Sequence, residues 1–197
     1  MLPFMKLLLR AVLGVWLLVC PVGASAANHI YKGIYTRYNA VTGKSSLQPV
    51  FIIIGDTKVV SSDAFTETFT TVTFDGTRGR KKFGSGVDIT VQDFKQFVGA
   101  KLAEVYSAFT SGSNDHQSLV LRGWVRGTKY DAPMVLTGQQ WYVYQDPASH
   151  VYASEKDTYT VHLDRALTDA SQAAGETQSD ALQRVKDYLT NVHHYTE

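Results

Sequence analysis

Hydrophobic and polar positions alternate along much of this chain with the two-residue period of extended structure. Ile30 to Tyr38 sets Ile30, Ile34 and Tyr38 on one side and Tyr31 and Tyr35 on the other, which predicts a first strand. A turn-rich stretch from Asn39 to Ser46 follows it. Pro49 to Ile54 is a continuous apolar run closed by Gly55-Asp56, and Lys58 to Ser61 reads as the return arm of a hairpin. Ala64 to Phe74 is rich in Thr and Phe, which favour a pleated chain. Its phase changes midway, Phe65 and Phe69 against Val72 and Phe74, so a bulge near Thr70 is expected.

The three- and four-residue spacing of Phe94, Phe97, Val98, Leu102, Val105, Tyr106 and Phe109 predicts a long helix from Thr90 to about Ser111-Gly112. Thr90 with Asp93 three places on resembles a capping box, and Lys95, Lys101 and Glu104 fall off the apolar stripe. Strand-like runs then recur at Leu119 to Arg126, Tyr130 to Leu136, Gln139 to Gln145 and Thr158 to Leu163, the last led in by Val151-Tyr152. Pro133 cannot donate a ladder hydrogen bond and points to an edge or a bulge in the second run. Ala166 to Gly175 is small and polar, and reads as a loop or a frayed helix. Thr177 or Ser179 can cap a final helix carrying Leu182, Val185, Tyr188, Leu189 and Val192. Short links between strands favour antiparallel pairing. The expected fold is therefore α+β: a predominantly antiparallel sheet covered by a long central helix and a C-terminal helix.

The first 26 residues have a different pattern. Lys6 and Arg10 flank and enter an apolar run through Val19, and Ala24-Ser25-Ala26 supplies the small residues of a cleavage site. Residues 1–26 thus read as a secretory signal peptide, and 27–197 as a single exported domain. The run is too short to span a bilayer as a mature helix, and no later run approaches about 20 apolar residues. Cys20, the only cysteine, lies in this leader, so the exported domain would hold neither disulfide nor cysteine metal ligand. Lipidation at Cys20 is the less favoured reading, because Val19 replaces the small residue that usually precedes a lipidated cysteine. No Asn-x-Ser/Thr acceptor occurs, which is compatible with a bacterial periplasmic or secreted protein. Lys6 and Arg10 also fall in the leader, leaving 17 basic and 18 acidic residues, a balance that gives no general attraction to nucleic acid or anionic membrane.

Candidate chemistry is sparse. Arg78, Arg80, Lys81 and Lys82 form a glycine-flanked basic loop, without the Gly-Lys-Ser/Thr ending of a phosphate loop or the glycine spacing of a dinucleotide site. The six histidines lack converging metal-ligand spacing, and no nucleophile motif of a serine hydrolase is present. Neither a cofactor nor a metal is expected. Aromatics crowd the second group of strands, and Arg122, Trp124, Arg126, Tyr142 and Tyr144, together with the basic loop of Arg78, Arg80, Lys81 and Lys82, are the candidate contacts of a binding surface. These observations predict a non-enzymatic periplasmic or secreted protein-binding module, such as an adaptor, inhibitor or immunity-type factor, whose partner is another envelope or secreted protein. The alternatives are a small exported hydrolase using the carboxylates between Asp131 and Asp164, with His162, or a structural subunit of an envelope assembly.

Overall fold

The computed structural model describes residues 27–61, 64–75, 80–86, 89–113, 115–125, 130, 132–145 and 149–197. The expected leader, Arg78, Arg126, Asp131 and Asp146 lie outside the described residues. The chain runs through β1 (His29–Asn39), β2 (Lys44–Ser61), β3 (Ala64–Asp75), β4 (Lys82–Ser85), β5 (Ile89–Val98), β6 (Lys101–Ser111), β7 (Asp115–Trp124), β8 (Val135–Gln145) and β9 (Tyr152–Leu163). Two helices follow, α1 (Arg165–Ala174) and α2 (Gln178–Asn191).

Every pairing between these strands is antiparallel, and the order β2-β1-β9-β8-β7-β6-β5-β3 closes through β3 against β2. The fold is an eight-stranded barrel, with β4 as a ninth strand beside the upper part of β3. Closure removes the free sheet edges that an open sheet would have to protect. The α+β expectation is overturned here, and the residues that overturn it are those assigned to the long central helix.

Thr90 to Ser111 forms the hairpin of β5 and β6, turning at Gly99, whose φ of 63° suits glycine. The apparent helical stripe mixes two faces. Register pairs Phe94 with Val105 on the outer wall and Asp93 with Tyr106 on the inner one. Phe97 and Phe109 are 76% and 73% exposed, so the stripe was never one core face.

Four further expectations change. Tyr130 and 132–134 are turn, bend or irregular chain rather than strand, and β8 begins at Val135 and runs unbroken through Thr137-Gly138. Gly55-Asp56 is no turn: β2 runs on through it, with register shifts between Gly55 and Lys58 and between Val59 and Ser61 that bend the strand around the barrel. β3 needs no bulge at Thr70, because both of its faces are covered. Phe69 points into the barrel, whereas Val72 and Phe74 point out beneath the helices. Ala166 to Gly175 is not a loop. Asp164 accepts from the Leu167 N–H at 3.1 Å to start α1, and Gly175 ends it at φ 63°.

The core has two compartments. Inside the barrel, Tyr31, Ile52, Ile54, Leu119, Leu121, Leu136 and Val161 are fully buried or nearly so. Outside, Ile30, Phe51, Ile53 and Val72 meet Leu167, Ala181, Val185 and Leu189 of the helices. Each buried Val, Leu, Ile or Phe side chain contributes about 1.5–3 kcal/mol. A capping box between Thr177 and Asp180 starts α2, and the Gln178 amide sits 2.9 Å from the Ile53 carbonyl, pinning that helix to β2. Among the described residues no helix is long and apolar enough to cross a membrane.

Candidate functional site: the mouth of the barrel

Alternation along eight strands sends every second residue inward, and the two ends of the barrel receive different side chains. One end is closed. Tyr130, Ala132 and Met134 lie against the core there, tied by the Tyr31 hydroxyl donating to the Pro133 carbonyl at 3.0 Å. The other end opens into a cavity of about 420 Å³. Val50, Phe69 and Ile89 make its apolar floor, Thr71 and Thr73 one wall, and Gln117, Gln140 and Tyr142 the opposite one. Arg37, Glu155 and Asp157 sit between them near the rim.

The β1–β9 register creates the polar side of the mouth by setting Tyr35 opposite Tyr159 and Arg37 opposite Asp157. Arg37 donates through Nε and Nη2 to the two Asp157 oxygens at 2.9 and 2.8 Å, a planar fork matched to a carboxylate. Its Nη1 lies 3.4 Å from Glu155 Oε2, and Asn39 donates to the other Glu155 oxygen at 3.0 Å. The bonds to Asp157 raise the Arg37 pKa, so its charge is held at any working pH.

Below this pair the Tyr35 and Tyr159 rings stack with centroids 5.5 Å apart. Tyr35 donates to Gln48 at 2.6 Å and Tyr159 to Gln140 at 2.8 Å. Burial raises both phenol pKa values, so these groups remain donors. At the rim Tyr142 and Tyr144, two places apart on β8, stack at 5.1 Å.

The closed end holds the opposite electrostatic arrangement. Glu67, Asp93 and Glu104 all point inward and are buried. Thr57 donates to Glu67 at 2.7 Å, Asp93 and Glu104 share a hydrogen bond, and Lys95 lies 3.8 Å from Glu104. Desolvation pushes the Glu67 carboxyl up to about 7. Desolvation, with the Asp93 charge behind it, pushes Glu104 up to about 8. Among the described residues no group of three or more His, Cys, Asp or Glu side chains could hold a metal ion.

The residues selected from sequence are dispersed by this geometry. Tyr142 and Tyr144 belong to the inner wall and rim of the mouth. Arg122 and Trp124 lie on the outer wall of β7, where Lys101 sits 5.5 Å from the Trp124 ring, so they do not share a face with the two tyrosines. Arg80 and Lys81 precede β4 and Lys82 opens it; Lys81 donates to the His193 carbonyl at 3.0 Å, and so braces the C-terminal segment. Of the hydrolase candidates, Glu155 and Asp157 do meet, but on Arg37. His162 points outward from β9 and Asp164 caps α1.

Arg37, Tyr35, Asp157 and Tyr159 were missed as a group. The signal was available as two alternating runs, Tyr31-x-Gly33-x-Tyr35-x-Arg37 and Glu155-x-Asp157-x-Tyr159, that carry complementary charge in register. No protein-family model matches the chain, and no curated protein matches it either.

Proposed function

We propose that this protein is a non-catalytic binding module whose ligand is a small molecule seated in the open mouth of the barrel. The observation that carries the reading is the 420 Å³ cavity itself, which lies between a filled core and an open rim. Barrel mouths are common ligand sites, and this volume falls in the range of small-molecule pockets. An apolar floor beneath ordered Tyr, Gln, Arg and carboxylate groups suits an amphipathic ligand, with its apolar body down and its polar head at the rim.

Binding is favoured over turnover by the state of the polar groups. Asp157 is spent on Arg37, and Tyr35 and Tyr159 are fixed by glutamines. A general acid or base must be free to exchange a proton with its substrate, and these three groups are each held by a neighbour.

The test fills the site. Thermal-shift screening with small amphipathic compounds should raise the melting temperature of the protein. Thr73→Trp, which projects an indole into the mouth, should abolish that shift while leaving the far-ultraviolet circular dichroism of the barrel intact. Hits that stabilise both proteins equally would place the ligand elsewhere and end this reading.

A further inference from the structure

Resting on the mouth as the ligand site, we infer that its ligand is an organic cation: an ammonium group carried on a compact apolar body. The first ground is charge. Among the described residues the lining holds Asp115, Glu155 and Asp157 against Arg37, an excess of two negative charges. Lys44, opposite Asn39 in the β1–β2 register, is exposed and is not part of the lining.

The second ground is that Arg37, the cation among the described lining residues, is already used. Both forked nitrogens of Arg37 bind Asp157, and its remaining one faces Glu155. A ligand carboxylate or phosphate would have to break that pair and leave Asp157, itself buried, without its counter-charge. An ammonium head meets no such obstacle.

The third ground is the wall. Tyr142 presents an aromatic surface beside Glu155, its register partner, and its ring is held by stacking on Tyr144. An aromatic face beside a carboxylate attracts a cation through both the ring quadrupole and the charge. Val50, Phe69 and Ile89 then receive the apolar body.

Three probes of one shape separate the possibilities: 2-phenylethylamine, 2-phenylethanol and 3-phenylpropanoate, titrated calorimetrically at pH 7. The amine should bind at least about tenfold more tightly than the alcohol, the propanoate should be weakest, and the preference should shrink as salt screens the charges. Glu155→Gln combined with Asp115→Asn should weaken the amine about tenfold and leave the alcohol unchanged. Alcohol or propanoate binding as tightly as the amine, and still blocked by Thr73→Trp, would overturn the cation inference while sparing the mouth as a site. Failure of all three to bind at millimolar concentration would overturn both.

Discussion

At the mouth, the buried Asp157 carboxylate meets a two-pronged guanidinium, and the neighbouring tyrosines have acceptors of their own. At the closed end, Glu67, Asp93 and Glu104 share one lysine, which stands 3.8 Å from the nearest carboxylate. The same wall thus carries acidic groups inward at both ends, with opposite consequences. Pairing lets the mouth keep its charges while remaining open to solvent. Burial that outweighs pairing makes the closed end hold protons, and leaves Glu67 Oε2 and Glu104 Oε2 without a hydrogen-bond partner among the described residues. The difference teaches where each task resides: packing at one end, presentation of polar groups at the other.

Truncating apolar side chains should break the symmetry between the ends most strongly. Leu121→Ala removes a fully buried side chain from the filled core and should cost about 3–4 kcal/mol in chemical denaturation. Ile89→Ala, on the cavity floor where the space is already open, should cost about 1 kcal/mol.

The closed end should also set an unusual pH dependence. A carboxyl whose folded pKa is raised above its unfolded value binds its proton more tightly when folded. Stability from that group is therefore full below about pH 4.5 and is lost as pH rises through the folded value. With Glu67 near 7 and Glu104 near 8, stability should fall by several kcal/mol between about pH 5 and 8. Glu104→Gln should flatten much of that slope in denaturation series at several pH values.

Arg37→Met tests the mouth by the same logic. It leaves Asp157 buried without its partner and should cost about 2 kcal/mol, less than a fully buried pair because the Arg37 side chain is 44% exposed. Adding Asp157→Asn should recover part of the loss. The smallest effect belongs to Tyr142→Ala, a rim residue: a loss of about 0.5 kcal/mol or less in denaturation, alongside a measurable loss of ligand affinity.

Much of the strand pattern was legible from alternation, including the opposed sides of Tyr31 and Ile30 that became the inside and the outside of the barrel. The false helix arose because Val98-Gly99-Ala100-Lys101 is a turn too short to interrupt the apolar spacing around it. Composition held a counter-signal, since the apolar positions Val91, Phe94, Phe97, Val98, Val105, Tyr106 and Phe109 are all β-branched or aromatic, and only Leu102 among the large apolar residues is a strong helix former. In β3, the change of phase marked a strand buried on both faces. The mouth stayed hidden for a different reason: Arg37 and Asp157 lie 120 residues apart, and only the long-range pairing of β1 with β9 puts them in register. Arg122 and Trp124 share one face of their strand in the sequence pattern, yet strand parity sets that face on the opposite side of the wall from Tyr142.

The most direct test of the mouth as the binding site is a two-dimensional ¹H–¹⁵N correlation spectrum recorded while a small amphipathic ligand is titrated into the protein. The predicted result is a set of saturable shifts confined to the mouth, at the amides of Tyr35, Arg37, Gln140, Tyr142 and Asp157, and absent from Thr73→Trp. Shifts centred on the outer wall around Arg122 and Trp124, with the mouth amides unmoved, would contradict the account.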